Sequence, residues 1–361
     1  MLTKIADSLR YVASCLLLTV GLLLVSDYAL LLVSDDDHTF LSSTNREARP
    51  FTMVGGARNQ ESRRKYGLNH LGYPGRAPSM PKPPGEYRII MLGGSTVAMG
   101  APSVPELLEQ RFAEGKADYV RVYNFGVPTS TMAMDLARLV FEASEFEPDL
   151  ALFYGGGNDI GMPFQGDPRP GYPPNFFAFE HNPLLTAGTN NQSLSTLFLT
   201  LLLFSRTVRS INAEGLRATI VDLKGLREEV SWPSRAWSEQ IARRYLADVQ
   251  KAVEIGNGFG IRTFVAFQPL LYFKPSLSQE ELKLDRHLVG EHALFCRELM
   301  LRGLGALEKD VSLQWLDLSG LFDHTPETVF YDGIHPLQAH QGTIASALYH
   351  AIKSIPSVSA R

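Results

Sequence analysis

The sequence has few cysteines and no excess of positive charge. Its 361 residues include only Cys15 and Cys296, too few for the disulfide frameworks that define small secreted domains, so cysteine usage leaves the redox compartment open. Lys and Arg number 34 against 38 Asp and Glu, for a net charge of -4. Proteins that bind nucleic acids usually carry a basic surface, and no nucleic-acid partner is therefore expected.

The N-terminus contains one long hydrophobic run, residues 11–34, that is apolar apart from Asp27. Its length fits a transmembrane helix of about 20 residues. Lys4 and Arg10 precede the run and three aspartates follow it, which predicts an N-terminus in the cytoplasm and a body in the periplasm or at the cell surface. A cleaved signal peptide is the alternative, but no A-x-A-like site follows the run. Asp27 is expected near the outer interface or paired with a partner helix.

The rest of the chain divides into a linker and one large domain. Residues 1–34 are predicted to form the cytoplasmic tip and anchor, 35–86 a Pro- and Gly-rich linker or lead-in segment, and 87–361 the folded body. Short apolar stretches alternate with amphipathic ones, among them a charged helix predicted from about residue 279 to residue 302 and a last helix that starts at Pro336. We predict an α/β fold, a three-layer α/β/α sandwich with a mainly parallel, flavodoxin-like sheet of about five strands.

An insertion at about residues 160–237 interrupts this alternation. Its first half is rich in Pro and aromatics, and we expect residues 164–185 to form one wall of a substrate cleft. Arg169, Tyr172 and Phe176 are candidate substrate contacts there, with simple packing as the alternative. The second half contains LSTLFLTLLLF, which is too short to cross a bilayer and predicts a buried or interfacial helix.

A Gly-rich turn, GGSTVAMG, follows the first strand-like stretch of the body. It lacks the lysine of a phosphate-binding P-loop and the spacing of a dinucleotide-binding loop. It also lacks the last glycine of the G-x-S-x-G elbow, where Val97 stands instead. Taken alone, the turn does not identify a binding or catalytic function.

Three further motifs accompany that turn: NFG at 124–126, GGGND at 155–159 and YDGIHP at 331–336. Ligands of open parallel sheets bind at the carboxyl ends of strands, where the turn and the first two of these motifs are expected. The four motifs in this order resemble those of the SGNH (GDSL-like) hydrolase superfamily, in particular a membrane-anchored, extracytoplasmic subgroup in which GGST replaces the GDS motif. The resemblance covers residues 87–353 without the insertion.

The resemblance implies a serine hydrolase site. Ser95 corresponds to the nucleophile, His335 to its general base, and Asp332 to the group that orients the imidazole. The backbone N–H groups of Ser95 and Gly126 and the side-chain amide of Asn158 correspond to the oxyanion hole.

Several other polar residues near these motifs have weaker assignments. Asp159 is either a further substrate contact or a cap that holds its loop. Asp332 and His335 would form a metal site only with a third ligand such as His324 or His340. No metal or cofactor is expected.

The sequence therefore predicts a serine esterase that acts through an acyl-enzyme on an extracytoplasmic ester. An O-acetyl or other acyl group of a cell-envelope glycan is the leading substrate class. An O-acyltransferase with the same three residues is the first alternative. A non-catalytic subunit of an envelope assembly, with a protein partner, is the second.

Overall fold

The computed structural model describes residues 2–33, 46–173, 205, 207–208, 223–284, 287–311, 313–353 and 355. They fall into two compact units. One unit comprises Met1–Thr44 and Phe177–Leu223, and the other comprises Asn45–Phe176 and Lys224–Arg361.

The first unit contains helix α1, Leu2–Val33. Within it, Arg10–Leu30 is long and apolar enough to cross a membrane, a property that an N-terminal signal sequence shares. No other helix among the described residues has this combination of length and composition.

The second unit begins with the segment that the sequence predicts to be a linker. Strands β1, Arg46–Arg49, and β2, Met53–Gly56, pair antiparallel, and helix α2, Gln60–Tyr66, follows them. The Arg49 guanidinium is buried and donates to the Glu142 carboxylate at 2.8 Å. A buried charge needs such a partner, and Asn45–Phe176 belong to one compact unit, so the described part of the predicted linker or lead-in segment packs within this unit.

A five-stranded parallel sheet forms the centre of this unit, in the order β4-β3-β5-β6-β7. The strands are β3 (Tyr87–Gly93), β4 (Val120–Gly126), β5 (Leu150–Gly155), β6 (Arg262–Phe267) and β7 (Gln314–Asp317). Every side chain of β3 is buried, as expected for a central strand that is covered on both faces. The predicted α/β fold with about five strands is confirmed.

Eight further α-helices follow in the described part of the chain. They are α3 (Ser95–Ala98), α4 (Val104–Glu114), α5 (Met132–Phe141), α6 (Gly157–Gln165), α7 (Leu223–Glu229), α8 (Arg235–Phe259), α9 (His287–Asp310) and α10 (Gln338–Ile352). One hydrophobic core joins the sheet to α4 and α10, and the other joins it to α5, α8 and α9.

Two helices differ from the sequence prediction. Helix α8 is 25 residues long and was not predicted, although Ser234 caps its first turn through the Trp237 N–H and Gly260 ends it in a left-handed conformation. The charged helix expected from residue 279 begins at His287 instead.

The reason for the late start of α9 lies in Glu281, which is buried in a short 3-10 turn. Its carboxylate accepts hydrogen bonds from Lys274 Nζ at 2.6 Å and from the Val329 and Phe330 N–H groups at 2.9 and 3.1 Å. These contacts hold the segment that leads into the YDGIHP motif. Hydrogen bonds to its charged form keep the pKa of Glu281 below its ordinary value, although burial acts to raise it.

Candidate active site

Ser95, His335 and Asp332 form a connected hydrogen-bonded row. Ser95 Oγ lies 2.6 Å from His335 Nε2, and His335 Nδ1 lies 2.7 Å from Asp332 Oδ2. Ser95 is the first residue of α3, directly after β3, whereas the other two lie in the loop before α10. The row connects a hydroxyl, a base and a carboxylate in the order that serine nucleophiles require.

The Asp332 carboxylate fixes the loop as well as the imidazole. Its Oδ1 accepts the N–H groups of Ile334 and His335 at 2.8 and 2.7 Å, while Oδ2 faces the ring. Burial acts to raise the pKa of Asp332, but these hydrogen bonds outweigh it and the pKa lies below its ordinary value. The Tyr331 ring stacks on the imidazole at 5.4 Å between centroids, a contact that the sequence analysis did not identify.

Asn158 lies over the turn that carries Ser95. A Cβ at Gly94 would stand 2.3 Å from Asn158 Nδ2, so only glycine leaves room for this amide. Nδ2 donates one hydrogen to the Ser130 carbonyl at 2.8 Å. A primary amide has two N–H donors, and none of the residues that the structure describes accepts the second, which can therefore bind a ligand. The Ser95 N–H is the first of α3, where helical N–H groups have no intrahelical partner.

Gly126 has a different role from the one that the resemblance implies. Its N–H donates to Asn124 Oδ1 at 2.9 Å, so this donor is already engaged. A Cβ at this position would stand 2.5 Å from the backbone N of Ala98. The glycine thus lets α3 pack closely against β4. Asn124 strengthens the same contact by donating to the Val97 carbonyl at 2.8 Å.

The loop after β4 positions the Ser130 carbonyl that holds Asn158. Thr129 has φ of 67°, a strained conformation for a β-branched residue. The Ser130 hydroxyl donates to the buried Asp135 carboxylate at 2.6 Å, and Arg138 pairs with that carboxylate at 2.5 Å. The buried Asp135–Arg138 ion pair therefore fixes Ser130, whose carbonyl in turn holds the Asn158 amide.

Asp159 caps a helix in this structure. Its two carboxylate oxygens lie 3.0 and 3.2 Å from the Met132 N–H, the first of α5. Burial raises its pKa to about 7, the Met132 hydrogen bond lowers it, and the charges of Asp135 and Asp248 add to the increase. Of its two predicted roles, the cap is the one that these contacts support.

Two of the three candidate substrate contacts of the insertion, Arg169 and Tyr172, have partners within the protein. Arg169 pairs with the buried Asp167, and its guanidinium lies 3.7 Å from the centroid of the Tyr172 ring. The neighbouring Pro168 carbonyl accepts the Trp237 indole N–H at 2.6 Å. Phe176 lies outside the described residues. A substrate role for any of the three stays a prediction.

A cleft of about 1260 Å³ adjoins the helix that begins with Ser95. Its walls come from the lead-in segment (residues 56–76), from residues 98–113 and from β4 with its following loop. Ala98 and Met99, three and four positions after Ser95, are among its lining residues, whereas Ser95, Asn158, Asp332 and His335 are not. Within 164–185, the expected cleft wall, residues 164–173 are described and none of them lines this cleft.

Comparisons with known proteins find distant structural likenesses only. No family profile and no curated protein matches the sequence. An alpha/beta hydrolase from the metagenome of Lake Arreo, Spain, is similar with 15% identity and a TM-score of 0.42, over 73% of this chain and 94% of that one. A GDSL-like lipase from Bacteroides thetaiotaomicron has 11% identity and a TM-score of 0.39, over 74% and 88% of the two chains. An acetyl xylan esterase from Geobacillus stearothermophilus has 12% identity and a TM-score of 0.41, over 74% and 94%. Likenesses of this size do not establish a shared activity.

Replacing Gly126 with alanine is expected to displace α3. The new Cβ would collide with the Ala98 backbone, and overpacking of this kind typically costs about 1–3 kcal/mol. Gly126→Ala should therefore lower the free energy of unfolding in a urea titration, together with the turnover of a small activated ester. Gly155→Ala is the matched control, because a Cβ at the end of β5 meets nothing within 4 Å. Equal stability of the two variants would contradict this role for Gly126.

The pKa of Asp159 predicts a pH dependence of stability. Its carboxyl binds a proton more tightly in the folded protein, with a pKa of about 7 against 3.8, so its ionisation lowers stability as the pH rises from about 4 to about 7. Asp159→Asn keeps an acceptor for the Met132 N–H but does not titrate. In thermal unfolding at several pH values, the Tm of the variant relative to that of the wild type should rise across this interval and stay constant above it. A difference that is independent of pH would contradict the raised pKa.

Proposed function

We propose that this protein is a membrane-anchored serine esterase of the SGNH (GDSL-like) type that acts through an acyl-enzyme. One observation carries the proposal: Ser95 Oγ lies 2.6 Å from His335 Nε2, and Asp332 lies 2.7 Å from the other ring nitrogen. A serine hydroxyl is a weak nucleophile at neutral pH unless a base is adjacent. The four sequence motifs and the α/β fold support the same assignment.

Proton transfer follows from the order of the three groups. His335 Nε2 takes the hydroxyl proton while Ser95 Oγ attacks the ester carbonyl carbon, which forms a tetrahedral intermediate. Asp332 is ionised at neutral pH because its pKa is lowered, so it holds the proton on Nδ1 and stabilises the imidazolium. The imidazolium then protonates the departing alkoxide, and an ester of Ser95 remains. Water attacks this ester with His335 again as the base, which releases the acid and regenerates the serine.

The oxyanion of the intermediate has two candidate donors. They are the Ser95 N–H and the second N–H of the Asn158 amide, whose first hydrogen is fixed by Ser130. Removing one donor of this kind typically lowers kcat by about 10²–10³. Gly126 is not included, since its N–H already donates to Asn124.

The substrate class that we propose is an acylated glycan of the cell envelope. Lys4 and Arg10 before the apolar run of α1, and the aspartates after the helix, favour a catalytic unit outside the cytoplasm. A cleft of about 1260 Å³ beside α3 offers room for several sugar units. Transfer of the acyl group to a glycan hydroxyl would use the same groups, with the sugar in place of water.

Labelling with a fluorophosphonate probe tests the nucleophile. The probe should label the wild type on Ser95, and both Ser95→Ala and His335→Ala should lose labelling and esterase turnover, because members of such a triad act as a unit. Asp332→Asn should retain more turnover than either, since the base remains and only its orientation changes.

Full labelling of a folded Ser95→Ala variant would refute the assignment. Incubation of the wild type with an activated acetyl ester, with and without an oligosaccharide acceptor, separates the remaining alternatives. Acetylated oligosaccharide would identify a transferase. The absence of labelling and turnover in a folded wild-type protein would favour a non-catalytic envelope subunit.

A bulky substitution in the cleft tests whether the cleft binds large substrates. Gln110 lies on the exposed side of α4 and lines the cleft, so Gln110→Trp should reduce turnover of an acetylated oligosaccharide and leave that of a small activated ester unchanged. Gln250→Trp on the exposed side of α8 is the matched control, because residue 250 does not line the cleft. Equal effects of Gln110→Trp on both substrates would contradict a role in substrate binding.

A further inference from the structure

Helix α1 has one covered face. Of its described side chains only Leu23, Ser26, Asp27 and Leu30 are partly covered, and the others are exposed. The spacing of these four positions, i, i+3, i+4 and i+7, places them on one side of a helix. We call this set the α1 stripe. Its two central members are polar, within a run that is otherwise suited to lipid.

The polar centre of the stripe binds a segment of the insertion. Asp27 Oδ1 accepts hydrogen bonds from the Thr207 backbone N–H at 2.9 Å, from Thr207 Oγ1 at 2.7 Å and from Ser205 Oγ at 2.9 Å. Thr207 Oγ1 also lies 2.8 Å from Ser26 Oγ. These contacts join positions about 180 residues apart within the same compact unit.

Inserting an aspartate into a membrane helix costs free energy, so hydrogen-bonding partners for its carboxylate help to stabilise the helix in the membrane. Insertion of an aspartate at a helix centre costs about 2.5–3.5 kcal/mol, and hydrogen-bonding partners or proximity to the interface reduce the cost. At 1.5 Å per residue, Asp27 lies about 26 Å from Arg10 along the helix axis, near the far end of a hydrocarbon core about 30 Å thick. The three hydrogen-bond donors of Ser205 and Thr207 therefore contact the Asp27 carboxylate near that end of the hydrocarbon core.

We propose that the α1 stripe is the docking site for the part of the insertion around Ser205 and Thr207 and attaches it to the membrane beside α1. The sequence supports this occupant, because the apolar stretch LSTLFLTLLLF directly precedes Ser205 and gives the segment a surface to bury in lipid. The chain would then meet the membrane twice, once before the catalytic unit begins and once within the insertion that follows Asn158. The proposal rests on α1 being a retained anchor, which is part of the proposed function.

Cysteine cross-linking in membranes tests the docking. In a Cys15→Ser background, Ser26→Cys and Thr207→Cys place two sulfurs where the oxygens lie 2.8 Å apart, so mild oxidation should form a disulfide. A protease site added within residues 35–44 then allows the readout: cleavage should leave the α1 fragment bound to the body until a reductant is added. Leu18→Cys with Thr207→Cys is the control pair, about 12 Å away along α1, and should not cross-link.

A third substitution tests Asp27 itself. Added to the Ser26→Cys and Thr207→Cys pair, Asp27→Asn retains an acceptor and should keep the cross-link, whereas Asp27→Leu should lose it. A retained α1 with no cross-link in the parent pair would overturn the docking, whereas an unchanged cross-link in Asp27→Leu would contradict the role of Asp27 in it. Loss of an N-terminal epitope from the mature protein would contradict the anchor, and fluorophosphonate labelling of the same samples reports separately on Ser95.

Discussion

The structure depends on holding one hydroxyl within 2.6 Å of an imidazole that lies 240 residues away in the chain. A parallel sheet meets this requirement because its strands end at one edge. The order of its five strands is that of the flavodoxin-like folds, in which ligands bind where the strand order reverses. Ser95 follows β3 and Asn158 follows β5, the two strands that flank this point.

Close packing around α3 turns this topology into a usable site. Gly94 leaves room for the Asn158 amide on one side, and Gly126 leaves room for the Ala98 backbone on the other. Two buried ion pairs stabilise the segments that position the site residues. Asp135 and Arg138 support the carbonyl that holds Asn158, while Lys274 and Glu281 support the segment leading to His335. Removing one member of such a pair leaves a buried charge without a partner, which is why both members are needed.

The sequence was sufficient for the features that rest on local patterns. Apolar strands alternating with amphipathic helices predicted the parallel sheet that the structure shows. Four short motifs, through their resemblance to a known superfamily, predicted a site of Ser95, Asn158 and His335, whose catalytic role stays a prediction. It was insufficient where the answer depends on three-dimensional neighbours. Nothing local indicates that Gly126 faces Ala98 or that Arg49 pairs with Glu142, 93 positions away. Helix α8 is an exception: its Ser234 and Gly260 caps are local signals that could have revealed it.

Trapping the acyl-enzyme tests the central claim most directly. The full-length protein is mixed with an activated acetyl ester, quenched with acid within the first turnover, digested and examined by mass spectrometry. The account predicts a single acetyl group on the peptide that contains residue 95, located on the serine hydroxyl and absent after complete turnover. Turnover without any acetylated peptide, or with the acetyl group on another residue, would contradict it.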